Sequence, residues 1–247
     1  MEINELKTTE RKSVLITGAS SGIGLAIARA LADNGYEVYG IGRNFDESSS
    51  NPEKFHCVIC DITDTDALEK SVNEIRKSHP IDVLINNAGC AYYGFHEELN
   101  ASKIKEIVRT DLEAPLILTQ MLLRDMKKYG GTIINISSVT AISHANPHGA
   151  AYGAAKAGLY SFSGSVFEEA RKHGVRVTAI LPDMTDTDLY RNADFKADDE
   201  EGASLSPKDV ADAVLFVLSR PEGVVVEELV IRPQLHRIKR KTKNDLH

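Results

Sequence analysis

The sequence predicts an α/β fold: a single doubly wound Rossmann domain, with a parallel sheet of about seven strands and helices on both faces. Three observations support this prediction. Short apolar runs alternate with helix-length segments along the whole chain, no internal repeat is present, and no linker divides the 247 residues. Strands separated by helices imply right-handed βαβ crossovers, which build a parallel sheet covered on both faces.

The first half of the chain contains four predicted strands and two predicted helices. Asn34-Gly35 is a typical end for the first helix. Thr63 is the expected N-cap of the second helix. The predicted strands cover residues 14–17, 37–42, 55–60 and 81–86, and the helices cover residues 23–33 and 66–77.

The second half continues the same alternation. The predicted helices cover residues 102–128, 152–173 and 207–219, and the predicted strands cover residues 132–137, 175–181 and 224–231. A polar, irregular stretch precedes the last helix. Because ligands of such folds bind beyond the carboxyl ends of the strands, the residues that follow each strand are the candidates for a functional site.

Composition excludes several classes of partner. A net charge of −7 argues against binding to nucleic acid or to an anionic membrane. The basic run in the tail at 233–247, which includes Arg237, Lys239, Arg240, Lys241 and Lys243, is expected to be a solvated end. No segment approaches the roughly 18–20 apolar residues of a membrane span, and Met1 to Lys12 lacks the apolar core of a signal peptide, so we expect a cytoplasmic protein.

The three cysteines do not suggest a disulfide framework or a metal site. Cys57 and Cys60 have CxxC spacing, but they lie in a strand, where residues three apart point to opposite faces. Neither a second CxxC nor a paired histidine motif accompanies them, and Cys90 stands alone. We therefore expect buried structural cysteines and no metal.

A glycine-rich turn follows the first strand and opens the first helix. Glycines allow a sharp turn and a close approach of a pyrophosphate, which the free N–H groups of a helix start can bind. This context predicts a dinucleotide-binding turn. The candidate cofactor-binding residues in it are Gly18, Ser20, Ser21, Gly22, Ile23 and Gly24.

The spacing of this turn, TGxxxGIG, resembles that of the short-chain dehydrogenase/reductase superfamily in its single-domain branch. The resemblance spans nearly the whole chain. It implies that Asp61 contacts the adenine ring, with Ile62 beside it in the cofactor site. It also implies that the segment Asn86-Asn87-Ala88-Gly89 steadies the sheet, and that Asn87, Ala88 and Gly89 line the adenosine site.

The end of the second strand indicates which nicotinamide nucleotide is bound. A site for NAD places an acidic residue there to accept hydrogen bonds from the ribose 2′-hydroxyl. This sequence has Gly42 at that place and Arg43 after it. A guanidinium can hold a 2′-phosphate with two parallel hydrogen bonds, so Arg43 predicts NADP(H) as the cofactor.

Tyr152 and Lys156 are spaced i, i+4 at the start of a predicted helix, which places both side chains on one face. A neighbouring ammonium is expected to lower the pKa of a tyrosine. Tyr-x-x-x-Lys resembles the catalytic motif of the family, which implies that Tyr152 is the general acid/base and that Lys156 also binds the nicotinamide ribose. The resemblance further assigns the catalytic serine to Ser138, whereas Ser137 is expected to be structural.

Two positions depart from the family pattern. Asp111 replaces an asparagine that helps to connect the lysine to solvent, and its charge is expected either to pair with Lys156 or, if buried, to be neutralised. After the sixth strand, Pro182 and Thr187 match residues around the nicotinamide, but Asp183 replaces a glycine. We expect activity to persist with an altered pH profile.

These features together predict an oxidoreductase that moves a hydride between NADPH and a carbonyl or alcohol substrate. The alternative is an NADP-binding regulatory or scaffold protein with little turnover; a sugar-nucleotide epimerase or dehydratase is disfavoured by the glycine spacing and the chain length. Residues 184–205, the lid segment, are expected to select the substrate, a small neutral ketone, aldehyde or hydroxy acid. The resemblance also implies a homodimer or homotetramer.

Overall fold

The computed structural model describes residues 12–46 and 52–242. The expectations for the first eleven residues and for the last part of the basic tail, including Lys243, lie outside the described residues. Within these described ranges the strands are β1 Ser13–Thr17, β2 Glu37–Gly42, β3 Phe55–Ile59, β4 Val83–Asn86, β5 Gly131–Ile136, β6 Val175–Pro182, β7 Phe195–Ala197, β8 Glu228–Ile231 and β9 Ile238–Arg240.

Seven of these strands form one sheet, in the order β3-β2-β1-β4-β5-β6-β8. Every neighbouring pair in it is parallel, so the predicted fold class is confirmed. Strand order runs outward from β1 in both directions, which places a crevice at the carboxyl ends of β1 and β4.

In the part of the chain that the structure describes, six α-helices cover the sheet, and a short π-helical segment, Arg109–Glu113, joins two of them. One apolar core lies under α1 and α6, and a second lies under α2, α4 and α5 on the opposite face. The helices are α1 Gly22–Asp33, α2 Thr65–Ser78, α3 Ala101–Val108, α4 Ala114–Tyr129, α5 Ala150–Ala170 and α6 Pro207–Leu218. None of the helices in the described ranges is long and apolar enough to cross a membrane.

Several predicted boundaries differ from the observed ones. The N-cap of α2 is Asp64, whose carboxylate accepts a hydrogen bond from the N–H of Ala67, and not Thr63. The hydroxyl of Thr63 instead donates to Asp61 at 2.8 Å. The last strand of the sheet begins at Glu228, four residues later than predicted.

The prediction of buried cysteines is right for Cys60 and Cys90 and wrong for Cys57. Cys57 is exposed because β3 is the edge strand of the sheet, where residues 56 and 57 both face solvent. Cys60 follows the strand and packs into the core.

The basic tail is not a simple solvated end over the part that the structure describes. Its strand β9 pairs antiparallel with β7, which lies in the lid segment. The lid segment is therefore not irregular throughout, as the sequence suggested, but contains one strand of a two-stranded sheet. Local patterns missed this pair because both strands are three residues long and more than forty residues apart.

Candidate active site

The turn after β1 has the backbone that a phosphate cradle needs. Gly18 and Gly22 have φ angles of +68° and +53°, which favour glycine. A Cβ on Gly24 would lie 2.1 Å from the carbonyl oxygen of Gly18, so only glycine fits there. Ser21 is the N-cap of α1, and its side chain makes no capping hydrogen bond within the described residues, which leaves the first turn of N–H groups facing the crevice.

The turn is fixed to the end of β4 by side-chain hydrogen bonds. The hydroxyl of Thr17 accepts from the N–H groups of Asn87, at 3.1 Å, and Ala88, at 3.0 Å. The amide of Asn87 donates in return to the carbonyl of Thr17, at 2.9 Å, and to that of Gly18, at 3.3 Å. The turn and the Asn87–Gly89 segment therefore form one rigid wall.

A buried polar network ties the central strands to α5. The amide of Asn86 donates to Asn135 at 2.8 Å, and the amide of Asn135 donates to the hydroxyl of Ser163 at 2.8 Å. All three side chains are buried, so each hydrogen bond satisfies groups that water does not reach. The network sets the position of α5, which carries Tyr152 and Lys156, relative to the strand ends.

A cleft of about 600 Å³ opens at the carboxyl ends of the strands. Of the eighteen residues that the sequence singled out for the site, only Asp111 does not line it. The lining residues from that set are Gly18, Ser20, Ser21, Gly22, Ile23, Gly24, Arg43, Asp61, Ile62, Asn87, Ala88, Gly89, Ser138, Tyr152, Lys156, Pro182 and Thr187. Asp111 is wholly buried beneath the cleft wall.

Tyr152, Lys156 and Ser138 lie together at the middle of the cleft. α5 presents Tyr152 and Lys156 on one face, with the ammonium 5.7 Å from the centroid of the phenol ring. The Ser138 hydroxyl lies near enough to that of Tyr152 to lower the pKa of the phenol, and it also accepts from the N–H of Thr140 at 3.2 Å. Ser137 points away from this group, and its hydroxyl donates to the carbonyl of Lys156 at 2.9 Å, which is a structural contact.

The ammonium of Lys156 is held from two sides. It donates to the carbonyl oxygen of Ile136 at 3.0 Å and lies 3.2 Å from Oδ1 of Asp111. The other carboxylate oxygen of Asp111 accepts from the N–H of Cys90 at 2.9 Å. The π-helical segment carries Asp111 into this position, and a Cβ on Gly89 would lie 2.9 Å from its Oδ1, so the contact requires glycine there.

The electrostatics differ from the sequence-based expectation of a lowered tyrosine pKa. Burial raises the pKa of Tyr152 well above its ordinary value, the negative charge of Asp111 adds to this, and the nearby hydroxyl of Ser138 opposes it. Burial also raises the pKa of Asp111, while the charge of Lys156 opposes that shift. The expected lowering by Lys156 is wrong for this structure because Asp111 offsets the ammonium and solvent is excluded from the phenol.

The far end of the cleft carries the residues expected around the adenosine. Arg43 is exposed there, and the pKa of Asp61 is lowered mainly by the N–H and hydroxyl of Thr63, with a smaller contribution from Arg43. A Cβ on Gly42 would lie 3.0 Å from Cβ of Ser20. The position where an NAD site has an acid is therefore tightly packed.

Asp183 is buried at the opposite end, beside Pro182. Its carboxylate accepts from the guanidinium of Arg232 at 3.0 Å and lies 3.0 Å from Nδ1 of His236. It also accepts from the N–H of Met184 at 2.8 Å. The turn that a glycine makes in the family is thus held here by a charged side chain. Thr187 lies further along the same loop, beside the phosphate turn.

Three aromatic rings, which we call the aromatic wall, stand next to Tyr152. Tyr190 and Phe195 come from the lid segment, and Tyr93 comes from the loop after β4. Tyr93 lies 6.3 Å from the ring of Tyr152 between centroids. Sequence reasoning missed Tyr93, although its place four residues after Gly89, beyond a strand end, was a usable signal.

The comparisons with known proteins agree with this geometry. A family model described as short chain dehydrogenase matches residues 12–198. The serine 3-dehydrogenase of Agrobacterium fabrum is 33% identical over 233 residues, which are 90% of this chain and 93% of that protein.

Solved structures of the same fold include enzymes with either nucleotide. An alcohol dehydrogenase from the archaeon Thermococcus sibiricus, complexed with 5-hydroxy-NADP, matches with a TM-score of 0.81 and 27% identity over 92% of this chain and 99% of that one. A 4-hydroxyisoleucine dehydrogenase complexed with NADH shares the fold, with a TM-score of 0.78 and 24% identity over 91% of this chain and 98% of that one. The resemblance drawn from the motifs is confirmed: the chain belongs to the short-chain dehydrogenases, a family of oxidoreductases.

Proposed function

We propose that this protein is an NADP(H)-dependent oxidoreductase acting on a carbonyl or secondary alcohol, with Tyr152 as the general acid/base. The observation that carries the proposal is the meeting of Ser138, Tyr152 and Lys156 in the same cleft as the phosphate turn. The glycine cradle fits a dinucleotide, since Gly18 and Gly22 have positive φ angles and the first turn of α1 offers N–H groups that the Ser21 side chain does not cap.

The preference for NADP(H) rests on Arg43. Its guanidinium is exposed at the adenosine end of the cleft and near Asp61. A phosphate on the ribose would gain a charge-assisted hydrogen bond from Arg43 and would meet no acid at Gly42. The structurally similar alcohol dehydrogenase from Thermococcus sibiricus, complexed with an NADP derivative, supports a nicotinamide dinucleotide in this cleft, and Arg43 alone carries the choice of NADP(H).

The mechanism divides the work between three side chains. A bound nicotinamide supplies the hydride. Tyr152 gives its hydroxyl proton to the carbonyl oxygen, and its raised pKa keeps that proton in place at neutral pH, which favours reduction. Ser138 donates a hydrogen bond to the oxygen as negative charge develops there.

Lys156 serves as an oriented cation. An ammonium has three N–H donors, and the contact with the carbonyl oxygen of Ile136 uses one of them. Oδ1 of Asp111 lies 3.2 Å away as an ion-pair partner that accepts no hydrogen bond within the described residues. The remaining donors are available to the ribose of the cofactor. The aromatic wall covers Tyr152, which is only 5% exposed, and so keeps water from the proton transfer.

Carbonyl-dependent oxidation of NADPH tests the proposal. A panel of ketones and aldehydes should include at least one that the native protein reduces, and Tyr152→Phe should reduce it at least about 100-fold more slowly, because general acid catalysis is lost. The dissociation constant for NADPH, measured by calorimetry, should stay within a factor of about three. NADPH binding without turnover of any carbonyl or alcohol would favour the alternative, an NADP-binding regulator or scaffold.

A further inference from the structure

The lid segment and the C-terminal part of the chain are paired through their backbones. We name residues 232–242 the C-terminal strap. In its strand β9, Ile238 lies opposite Ala197 and Arg240 lies opposite Phe195 of β7. Beyond this pair, the N–H of Lys241 donates to the carbonyl of Asp194 at 2.8 Å. Because each strand supplies the partners of the other, the position of the lid depends on the strap.

Opposite charges reinforce the pairing, since the lid is acidic and the strap is basic. Arg237 forms an ion pair with Glu200, and Lys239 forms one with Asp199. Such exposed pairs contribute little by themselves. They agree with the register of β7 and β9, because Arg237 and Lys239 each lie beside a carboxylate of the lid.

Lys241 makes the most specific contact. Its ammonium donates to the carbonyl oxygens of Tyr190, at 2.7 Å, and Arg191, at 3.0 Å. Both carbonyls belong to the short 3-10 turn Asp188–Asn192, in which the carbonyl of Tyr190 also accepts from the N–H of Ala193 at 3.0 Å. Lys241 therefore fixes the turn that carries the ring of Tyr190.

The other end of the strap is anchored beside the reaction centre. Asp183 holds Arg232 and His236, and its N–H donates to the carbonyl of Ile231 at 2.9 Å. Asp183 directly follows Pro182 in the cleft wall. The strap thus runs from the end of β6 to the turn of Tyr190.

The aromatic wall lies under this strap. Tyr93 stacks on Tyr190 at 5.9 Å between centroids and meets Phe195 edge-on at 5.1 Å, and Tyr190 and Phe195 are 5.6 Å apart. Two of the three rings come from the lid segment that the strap holds. The position of the wall over Tyr152 therefore depends on contacts made by the last described residues.

We propose that the C-terminal strap determines substrate specificity, with Lys241 as a positioning residue that holds Tyr190 and Phe195 against Tyr93 above Tyr152. The substrate it selects is a compact, uncharged carbonyl compound whose apolar or aromatic group packs on the wall. This inference rests on the proposed function, because it names what the same site accepts.

The test compares Lys241→Met, which keeps the apolar stem and removes the donors, with Lys241→Arg, which keeps donors. Lys208→Met is the matched control, because Lys208 is an exposed lysine whose ion pair with Asp212 lies on α6. Each variant is assayed with NADPH and either benzaldehyde or pyruvate. Hydrogen exchange of the lid segment is measured on the same samples as a readout that needs no turnover.

We expect Lys241→Met to raise KM for benzaldehyde about tenfold with kcat within about threefold, and to speed exchange in β7, while Lys241→Arg restores both. The native protein should prefer benzaldehyde to pyruvate, and the variant should lose that preference. Unchanged KM and unchanged exchange, or an equal effect of Lys208→Met, would overturn the proposal. If the native protein reduces no carbonyl at all, the proposed function fails, and the role of the strap in specificity fails with it. Faster hydrogen exchange of the lid segment in Lys241→Met would still show that the strap stabilises the lid.

Discussion

Oδ1 of Asp111 lies 3.2 Å from Nζ of Lys156, and both side chains are buried. A lysine that activates a tyrosine acts through its uncompensated positive charge. Here the carboxylate of Asp111 lies next to the ammonium of Lys156, and Oδ2 of Asp111 accepts a hydrogen bond from the N–H of Cys90. The field that Lys156 exerts on Tyr152 is therefore weaker than a lone ammonium would give.

Asp111→Asn should shift the pH dependence of carbonyl reduction. Because a negative charge at Asp111 raises the pKa of Tyr152, removing it lowers that pKa. Reduction needs the protonated phenol, so activity is present below the pKa and lost above it. The alkaline limb of kcat should therefore move to lower pH by about one unit in the variant, and alcohol oxidation should become active at correspondingly lower pH.

The same experiment reports the protonation of Asp111. Burial raises the pKa of this carboxyl, and a carboxyl that is already neutral would leave the field at Tyr152 unchanged when it becomes an amide. Superimposable pH profiles of the native protein and Asp111→Asn would contradict the charged pair. Thermal unfolding of both proteins separates this from a loss of folded enzyme.

Arg43→Asp should change which nucleotide is used. The variant removes a phosphate partner and adds a charge that repels the 2′-phosphate, so kcat/KM with NADPH should fall about 10- to 100-fold while kcat/KM with NADH changes far less. Arg124→Asp on the exposed surface of α4 makes the same charge change away from the cleft and serves as control. Equal losses with both nucleotides, or a native preference for NADH, would refute the role of Arg43.

The parts of the site that are local in sequence were predictable. The turn from Gly18 to Gly24 and the pair Tyr152 and Lys156 each lie within a few residues, so their geometry follows from one turn or one helix. The parallel sheet of about seven strands followed from the βαβ alternation, since parallel strands need helical crossover connections. These local features were enough to predict the fold class and most of the residues that line the cleft.

What depends on contacts between distant residues was not predictable. The positive charge of Lys241 was visible in the sequence, but its acceptors, the carbonyls of Tyr190 and Arg191, lie fifty residues away in a segment without a clear pattern. The pKa of Tyr152 depends on burial, which no spacing reports. Thr63 and Asp64 are both good caps, and the choice was decided by Asp61, which accepts from Thr63.

The buried network below the cleft should matter for stability more than an isolated buried hydroxyl. Asn135→Ala removes the acceptor of Asn86 and the donor to Ser163, which leaves polar groups unpaired in the core, so unfolding free energy should fall by about 1–3 kcal/mol. Thr119→Val is the comparison. The hydroxyl of Thr119 is buried with no hydrogen-bond partner among the described residues, so its loss should be neutral or stabilising by up to about 1 kcal/mol.

Urea unfolding of the two variants measures both effects on one scale. The ratio of the two changes is informative because both sites are buried and each substitution removes polar atoms. A destabilisation by Thr119→Val as large as that by Asn135→Ala would mean that the loss arises from packing and not from the network.

Two glycines in helices should respond in opposite directions to the same methyl group. A Cβ on Gly24 would lie 2.1 Å from the carbonyl oxygen of Gly18 and 2.4 Å from the amide nitrogen of Asn87, so Gly24→Ala must displace the phosphate turn. We expect it to lower unfolding free energy by about 1–3 kcal/mol and to weaken NADPH binding at least about tenfold. Gly164 lies exposed within α5, and a Cβ there meets nothing within 4 Å.

Gly164→Ala should therefore stabilise the protein by about 0.5–1 kcal/mol, because alanine loses less backbone entropy in a helix, and NADPH binding should not change. Thermal unfolding with and without NADPH measures both quantities in each variant. The decisive comparison is the nucleotide-induced rise in Tm, which should persist in Gly164→Ala and shrink in Gly24→Ala. An undiminished rise in Gly24→Ala would show that the turn from Gly18 to Gly24 does not form the nucleotide site.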